Sequence, residues 1–166
     1  MALPNLVGVF GGGRMGAGIV HAFLAAGTSV VIVESDDASA AAARERVATS
    51  LGRAADRGLL AEQPVAVLDR LVVAATAAAL SDAQLVIEAV PEDPAVKARV
   101  FAAVQDSAPD AYLATNTSSL SIDGLAGSLR DPSRLIGLHF FNPVPASDLV
   151  ELVVGSATSR DLVTAA

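Results

Sequence analysis

The 166-residue sequence predicts an α/β fold, in which a doubly wound, mostly parallel sheet carries helices on both faces. Short apolar runs alternate with longer helical segments, and this order favours parallel strands joined by right-handed crossovers. Residues 30–33 and 85–87 contain only Val, Ile and Leu, as expected of strands buried on both sides. A chain of this length can bury its own core, so we expect one domain over residues 1–166.

The individual elements follow in order from these patterns. Apolar runs predict strands over residues 6–10, 29–33, 71–74, 85–89, 112–115, 135–138 and 149–154. Helical segments are predicted over residues 15–26, 36–57, 62–69, 94–105 and 121–126, and another begins near 158. Gly27 and Gly58 are placed to end the first two helices. The large side chains expected in the core are Phe23, Phe101, Phe140 and Phe141.

The first strand runs directly into a glycine-rich loop. Its sequence, Gly11-Gly12-Gly13-Arg14-Met15-Gly16, satisfies the pattern G-x-G-x-x-G and opens the first helix. In a Rossmann-type fold the first glycine makes a tight turn, the second lets a pyrophosphate approach the main chain, and the third lets helix and strand pack closely. The free N–H groups at the helix start then attract the phosphates.

An acidic residue strengthens the prediction of a dinucleotide site. Glu34 ends the second strand about 20 residues after the glycines, where a carboxylate hydrogen-bonds the adenosine ribose. A carboxylate there repels a 2′-phosphate, and neither Ser35 nor Arg14 is placed to compensate for it. The expected cofactor is therefore NAD rather than NADP.

Polar residues follow three successive predicted strands. These segments are residues 88–93, 116–119 and 139–143. Because the carboxyl ends of parallel strands meet at one edge of the sheet, where α/β folds bind ligands, we expect the three segments to converge on one crevice.

His139 is the candidate general base of that crevice. Oxidation of an alcohol by hydride transfer needs a group that takes the hydroxyl proton, and imidazole titrates near neutral pH. Glu151, on the next apolar stretch, can hold one tautomer of the ring and stabilise the imidazolium. The alternative is a structural role for both residues, which is what we expect for the only other histidine, His21 in the first helix.

Composition argues against several other classes of protein. The net charge of −7, with no cluster of Lys or Arg, disfavours nucleic-acid binding. The chain has no cysteine, and its histidines and carboxylates show no metal-ligand spacing. Residues 15–33 lack Asp, Glu, Lys and Arg, but Gly27 interrupts them, so a membrane span is not expected. No basic residue precedes Gly8, so we expect a cytoplasmic protein without a secretory signal.

Several segments together resemble a known family. They are residues 11–19 (GGGRMGAGI), 88–93 (EAVPED), 115–120 (TNTSSL) and 137–145 (GLHFFNPVP), followed by Leu-Val-Glu at 149–151. In this order and spacing they resemble the NAD-binding N-terminal domain of 3-hydroxyacyl-CoA dehydrogenases, over nearly the whole chain. The resemblance implies NAD-dependent oxidation of an (S)-3-hydroxyacyl thioester to the 3-oxoacyl thioester.

The resemblance also implies roles for individual residues. His139 matches the catalytic base, Glu151 its carboxylate partner, and Ser118 the serine that hydrogen-bonds the substrate near the reacting hydroxyl. Beyond the glycine loop and Glu34, the matches in the cofactor site are Glu92, Lys97 and Asn116. The matches in the substrate site are Ser50, Arg57, Ser118 and Asn142.

Two departures from the family concern the carrier of the acyl group. The family is rich in lysine where this chain has Gly52-Arg-Ala-Ala-Asp-Arg57, and residues 145–148 (PASD) lack the basic residue that usually precedes Leu-Val-Glu. Both changes weaken the positive field that a coenzyme A phosphate requires. Coenzyme A and an acyl carrier protein of a polyketide precursor pathway are therefore both candidate carriers.

Further expectations concern the rest of the molecule. The charged fraction of 17% is low, which indicates that another domain or subunit covers part of the surface. Members of the family continue into a helical C-terminal domain that forms a homodimer, and we expect that this domain is absent from the chain. The alternative functions are a sugar-acid or carnitine dehydrogenase and an NAD-binding sensor or scaffold, although a sensor needs no proton acceptor such as His139.

Overall fold

A computed structural model describes residues 4–166 of the chain. The strands are β1 (Leu6–Phe10), β2 (Ser29–Val33), β3 (Leu71–Ala74), β4 (Leu85–Glu88), β5 (Tyr112–Thr115), β6 (Leu135–Phe140) and β7 (Val150–Val153). The α-helices are α1 (Arg14–Ala25), α2 (Asp37–Asp56), α3 (Pro64–Leu68), α4 (Pro94–Ser107), α5 (Ile122–Ala126) and α6 (Arg160–Ala165). Short 3₁₀ helices cover Ala77–Leu80, Pro132–Arg134 and Val144–Ala146.

The strands form a single sheet in the order β3-β2-β1-β4-β5-β6-β7. The first six strands are parallel, and β7 pairs antiparallel with β6. This is the strand order of a doubly wound dinucleotide-binding sheet with one antiparallel strand added at its edge. The chain order reverses between β1 and β4, so a ligand crevice is expected at their carboxyl ends. The predicted fold class is confirmed.

Helices bury both faces of the sheet. One apolar cluster joins α1 and α2 to the first face and includes Leu24, and a second cluster joins α4 and α5 to the other face and includes Phe101. Along β2 the side chains alternate between the two clusters, since Val30 and Ile32 belong to the first and Val31 to the second. Burial on both sides is the reason these strands are apolar throughout.

The predicted core aromatics are confirmed only in part. Phe101 and Phe140 are buried, whereas Phe23 and Phe141 are half-buried. Phe141 lies after the end of β6 and packs against the ring of His139, so its position serves the sheet edge rather than the core.

Most helix ends agree with their sequence signals. Gly27 and Gly58 have φ values of 89° and 68°, which confirms both predicted stops. At the start of α2 the carboxylate of Asp36 accepts a 2.8 Å hydrogen bond from the Ser39 N–H. The helix predicted over 62–69 is shorter than expected, because Pro64 occupies its first turn and sets its start.

The end of β6 differs from the prediction. A strand over residues 135–138 was expected, with His139 in the loop beyond it, but β6 continues to Phe140. The reason is the antiparallel partner, because His139 pairs with Glu151 and Phe140 with Val150. His139 is therefore held on a strand.

The strand β7 forms an edge of the sheet and is exposed on both of its faces. The apolar side chains there are 40–58% exposed, namely Leu149, Val150, Leu152, Val153 and Val154. Monomeric proteins seldom leave a contiguous apolar strip of this kind in water.

Residues 4–166 lack two features, a membrane-spanning helix and a cluster of metal ligands. None of the helices in this part of the chain combines the length and apolar character of a membrane span. Over the same residues, no three His, Cys, Asp or Glu side chains converge in a way that could hold a metal ion.

Candidate active site

The glycine loop between β1 and α1 has the backbone that a pyrophosphate requires. Gly11 has a φ of 93°, which favours glycine, and a Cβ on Gly16 would overlap the carbonyl oxygen of Gly11. A Cβ on Gly13 would meet nothing within 4 Å, so the main chain there is open to a ligand. Within residues 4–166 no side chain caps α1, which leaves the N–H groups of its first turn for phosphate oxygens.

Two charged side chains hold the middle of this loop. Glu34, directly after β2, accepts a 2.7 Å hydrogen bond from the Gly12 N–H through Oε1. Arg46 of α2 donates a 3.2 Å hydrogen bond to the Gly12 carbonyl. The second oxygen of Glu34 can accept from a ligand hydroxyl, as the adenosine ribose of a dinucleotide requires.

A cleft of about 690 Å³ opens along the loop. Its walls come from the glycine loop, the end of β2, α2 and the turn after β4, and include Gly11, Arg14, Met15, Glu34, Arg46 and Val90. A cleft at the point where the strand order reverses, with phosphate-binding N–H groups and a carboxylate, fits the adenosine and pyrophosphate of NAD.

A buried ion pair lies at the carboxyl end of β4. Lys97 of α4 and Glu88 of β4 are each 1% exposed, and the Lys97 Nζ lies 2.8 Å from both carboxylate oxygens of Glu88. The same Nζ is 3.2 Å from Oε2 of Glu92. The expectation that the acidic residues of 88–93 all emerge into the crevice is wrong for Glu88, whose carboxylate pairs with Lys97 inside the protein.

Glu92 organises the loop that follows β5. Its Oε1 accepts hydrogen bonds from the Thr117 hydroxyl at 2.5 Å, the Ser118 N–H at 3.0 Å and the Ser119 N–H at 3.1 Å. Burial opposes ionisation of this carboxyl, but the hydrogen bonds from Thr117 and Lys97 outweigh it and lower the pKa of Glu92 to about 2. Glu92 is therefore an anion at neutral pH, and it fixes the main chain that carries Ser118.

The ends of β5 and β6 bring Asn116 beside the candidate base. The side-chain oxygen of Asn116 accepts a 2.8 Å hydrogen bond from the Phe140 N–H, next to His139. The His139 Nδ1 lies 2.8 Å from Oε2 of Glu151. Because an ionised carboxylate can only accept, this contact assigns the ring proton to Nδ1 and leaves the lone pair of Nε2 free.

A second polar pair joins α1 to α2. The His21 Nδ1 lies 2.8 Å from the hydroxyl oxygen of Ser50, and His21 is 5% exposed. Burial lowers the pKa of His21, so its ring is neutral at pH 7. His21 is buried, as expected of a structural residue, but it contacts a residue predicted to bind substrate. Arg57, exposed at the end of α2, lies on the same side of the helix as Ser50.

The structure therefore assembles most of the predicted residues in one place. An ion pair joins Lys97 to Glu92, and a hydrogen bond joins Glu92 to Ser118, at the ends of β4 and β5. A further hydrogen bond joins Asn116 to the strand that carries His139. Ser50 and Arg57 on α2 stand outside this network. Asn142 is exposed in the loop after β6, and its side chain makes no hydrogen bond within residues 4–166.

Two residues of the site were not identified from the sequence. Arg46 contacts a loop 34 positions earlier, and no local pattern signals such a contact. Glu88 was identified only as an exposed acid. A usable signal was present, because Lys97 is the one lysine in a chain whose other ten basic residues are arginine. A single lysine nine positions after an acid at a strand end was a candidate for a buried pair.

Comparison with known proteins agrees with this geometry. Residues 6–166 match the family model described as the NAD-binding domain of 3-hydroxyacyl-CoA dehydrogenase. The chain is 46% identical over 150 residues to a 3-hydroxybutyryl-CoA dehydrogenase of Mycobacterium tuberculosis, an alignment that covers 89% of this chain and 52% of that protein. It is 39% identical over 159 residues to the 3-hydroxyadipyl-CoA dehydrogenase of Escherichia coli, which covers 95% and 34%.

A solved structure has the same fold. The crystal structure of FadB2 from Mycobacterium tuberculosis superposes with a TM-score of 0.93 at 42% identity, and the match covers 98% of this chain and 58% of that one. The chain spans about half the length of the Mycobacterium tuberculosis relatives it matches. On the family match over residues 6–166 and these relatives, the chain belongs to the 3-hydroxyacyl-CoA dehydrogenase family, and it is the family's NAD-binding domain.

Proposed function

We propose that the protein oxidises (S)-3-hydroxyacyl thioesters to 3-oxoacyl thioesters with NAD, with His139 as the general base. The observation that carries the proposal is the pairing of His139 with Glu151, which leaves Nε2 free at the sheet edge that also holds the NAD cleft. The names of the relatives, which are dehydrogenases of 3-hydroxybutyryl-CoA and 3-hydroxyadipyl-CoA, support a coenzyme A thioester as substrate.

The proton transfer follows from the geometry of the pair. Nε2 of His139 takes the proton of the substrate hydroxyl as the carbonyl forms. The carboxylate of Glu151 holds Nδ1–H and stabilises the positive charge that the ring then carries. In the reverse direction the same imidazolium returns the proton to the carbonyl oxygen.

The substrate oxygen needs a second partner to be held in place. Ser118 is suited to this role, because Glu92 fixes its main chain while the serine remains exposed at the sheet edge. Asn116 sits between that loop and β6, and Asn142 lies exposed beyond His139. We assign Ser118 to the reacting oxygen and Asn142 to the acyl portion of the substrate.

The residues present fit NAD in two halves. The loop from Gly11 to Gly16 holds the pyrophosphate, with Glu34 on the adenosine ribose. Glu92 and Lys97 border the nicotinamide half, with Asn116 next to them. When bound, NAD supplies the acceptor for the hydride of the substrate carbon.

The surface of α2 is the proposed site of the acyl carrier. Ser50, Arg53 and Arg57 recur at helical spacing on one side of the helix, which gives a phosphate two guanidinium groups and a hydroxyl. Coenzyme A and an acyl carrier protein both present a phosphate to such a site, and the names of the relatives favour coenzyme A. Rates with acetoacetyl-CoA and with the acetoacetyl thioester of a carrier protein distinguish the two.

The exposed strand β7 supports a further part of the proposal. Its apolar side chains need a cover, and a helical domain that also forms a homodimer would supply one. We therefore propose that the catalytic unit includes such a domain beyond the NAD-binding domain.

The experiment follows NADH oxidation with acetoacetyl-CoA. It uses the chain alone and the chain joined to the C-terminal half of the Mycobacterium tuberculosis relative, each compared with His139→Gln. We expect turnover in the joined protein and a loss of at least about 1,000-fold in the variant, because in this direction the imidazolium of His139 is the proposed acid that protonates the carbonyl oxygen. NAD binding by calorimetry should be equal in both.

Two results would contradict the proposal. Equal turnover with and without the imidazole of His139 would remove its role as base. Normal NAD binding without turnover on either carrier, in the chain and in the joined protein, would favour a sensor or scaffold that binds NAD without chemistry.

A further inference from the structure

The buried ammonium of Lys97 is in contact with two protein carboxylates. An ammonium has three N–H donors. The two oxygens of Glu88 lie 2.8 Å from Nζ, and Oε2 of Glu92 lies at 3.2 Å. The charge of Lys97 is therefore balanced inside the protein before any ligand arrives.

Glu88 has a larger set of partners than Lys97 alone. Its Oε1 also accepts a 2.8 Å hydrogen bond from the Val90 N–H, and its Oε2 accepts one of 2.6 Å from the Thr115 hydroxyl. A carboxyl group that accepts from an ammonium on both oxygens is ionised, since a proton on either oxygen would meet a donor. Glu88 thus joins β4, β5 and α4 through one buried anion.

The same anion shapes a wall of the cofactor cleft. The turn after β4 is held through Val90, and the Ala89 carbonyl oxygen lies 3.0 Å from the position of a Cβ on Gly11. Ala89 and Val90 line the cleft together with Gly11. A substitution of Glu88 is therefore expected to change the wall of the cofactor cleft, although the Glu88 side chain is only 1% exposed.

The charges of the cluster do not cancel. Two carboxylates, the buried Glu88 and the partly exposed Glu92, face one buried ammonium, so the cluster keeps one net negative charge. The nicotinamide ring is cationic in NAD⁺ and neutral in NADH. A fixed negative charge beside the ring stabilises the oxidised form and has little effect on the reduced form.

We propose that Glu88 is a positioning residue that sets the balance between the two redox forms of the bound cofactor. It holds Lys97 and the turn at Val90, and it supplies the carboxylate that makes the cluster negative. The inference rests on the proposed placement of Glu92 and Lys97 beside the nicotinamide half. It adds a function for a residue that touches neither cofactor nor substrate.

Binding measurements on the chain test this without turnover. Dissociation constants of NAD⁺, NADH and ADP-ribose are measured by calorimetry for wild type and Glu88→Gln. We expect the ratio Kd(NAD⁺)/Kd(NADH) to rise about 3- to 10-fold in the variant, the effect of one unit charge across a partly screened distance. The Kd of ADP-ribose, which lacks the nicotinamide, should stay within about twofold.

Two further variants separate charge from structure. Thr115→Val removes a hydrogen bond to the same carboxylate and changes no charge, so its ratio should equal that of wild type. The double variant Glu88→Gln/Lys97→Met keeps one net negative charge on Glu92, so its ratio should return towards wild type. It also avoids a buried ammonium with a single carboxylate, which guards against loss of the fold in Glu88→Gln.

Different results contradict the role of Glu88 and the placement of the cluster beside the nicotinamide. An unchanged ratio in folded Glu88→Gln, or an equal shift in Thr115→Val, overturns the role of Glu88. Glu92→Gln leaves the buried pair of Glu88 and Lys97 intact, removes the excess negative charge and should raise the ratio. If Glu92→Gln leaves the Kd of both NAD⁺ and NADH unchanged, the placement of the cluster beside the nicotinamide is wrong, and the inference falls with it.

Discussion

At the scale of single residues, carboxylates hold the functional groups of this domain in place. Glu34 holds the main chain of Gly12, Glu92 holds the loop with Ser118, and Glu151 holds the ring of His139. Each of these carboxylates accepts from a donor whose position matters for binding or proton transfer. Substitution of the carboxylate alone therefore changes function while the group it holds remains.

Glu151→Gln tests this for the base. The amide of Gln donates as well as accepts, so the ring is no longer forced to carry its proton on Nδ1. We expect kcat of the joined, two-domain protein to fall about 10²- to 10⁴-fold with little change in the Kd of NAD. Asp148→Asn, which changes a nearby exposed carboxylate, is the matched control. A kcat within about twofold of wild type in Glu151→Gln would show that the pair does not assist the base.

His21 gives the domain a dependence of stability on pH. Burial lowers the pKa of His21 in the folded state, so folding stabilises the neutral ring. This contribution is complete above the unfolded value of about 6.5 and is lost as the pH falls below it. We expect His21→Gln to flatten the decline in Tm between about pH 7 and pH 5, relative to wild type. Ser50→Ala keeps the imidazole and should retain the decline; an unchanged profile in His21→Gln would contradict the expectation.

Sequence patterns identified those residues whose position follows from a strand end. Glu34 and His139 were identified this way, since parallel strands deliver their carboxyl ends to one edge. The roles of Arg46 and of the partner of His21 were not identified, because each depends on a contact between elements far apart in the chain. The role of Glu88 was not identified either, although its partner Lys97 lies only nine positions later. Burial of Glu88 is favourable only when Lys97 pairs with it. Hydrophobicity values assigned to one residue at a time do not include such pairing.

At the scale of elements, two glycines of the loop between β1 and α1 meet different requirements: Gly16 allows close packing, and Gly13 allows a ligand to approach. Gly16 has no room for a side chain against Gly11, whereas Gly13 faces open space. We expect Gly16→Ala to unfold more easily, by about 1–3 kcal/mol, because loop and helix must move apart. Gly13→Ala should keep its Tm but lose NAD affinity, because a methyl group occupies the approach of the pyrophosphate. Calorimetry and thermal melts measure both; equal loss of Tm in the two variants would contradict this account.

A second glycine offers a control in a regular helix. Gly52 lies inside α2, and a Cβ there would meet nothing within 4 Å. We expect Gly52→Ala to stabilise the domain by about 0.5–1 kcal/mol, since alanine loses less backbone entropy than glycine on forming a helix. Urea unfolding measures the change, and a destabilised variant would show that Gly52 serves another purpose, such as close approach of a ligand.

Prediction of elements succeeded where the signal was local and failed where the partner was distant. The Asp36 cap of α2 and the glycine stops of α1 and α2 are local, and the bounds of both helices were predicted to within one or two residues. The extension of β6 to Phe140 depends on pairing with β7. Nothing in residues 135–140 indicates that pairing, because an apolar run reads the same beside a parallel or an antiparallel neighbour.

At the scale of the whole molecule, the exposed apolar strand β7 is the surface at which we expect association. It is an edge strand with free backbone groups as well as apolar side chains. We expect the chain to self-associate with rising concentration in sedimentation experiments and Leu152→Lys to shift it towards monomer. Val72→Lys, on the opposite edge strand β3, is the matched control. A wild-type chain that stays monomeric, or an equal effect of both variants, would show that β7 is not the associating surface.

The register between β6 and β7 determines which residues of the connection between them can vary. His139 and Glu151 face each other because the two strands pair, and the segment that joins them, with Asn142 and the 3₁₀ turn at Val144–Ala146, has no part in that pairing. Residues 145–148 of this connection can therefore change without separating His139 and Glu151, whereas a slip of one residue within the pairing would turn Glu151 to the other face of the sheet. Val144 is buried against α1 and Phe141 packs on the ring of His139, so loop libraries aimed at new acyl groups should keep these two residues and both strands.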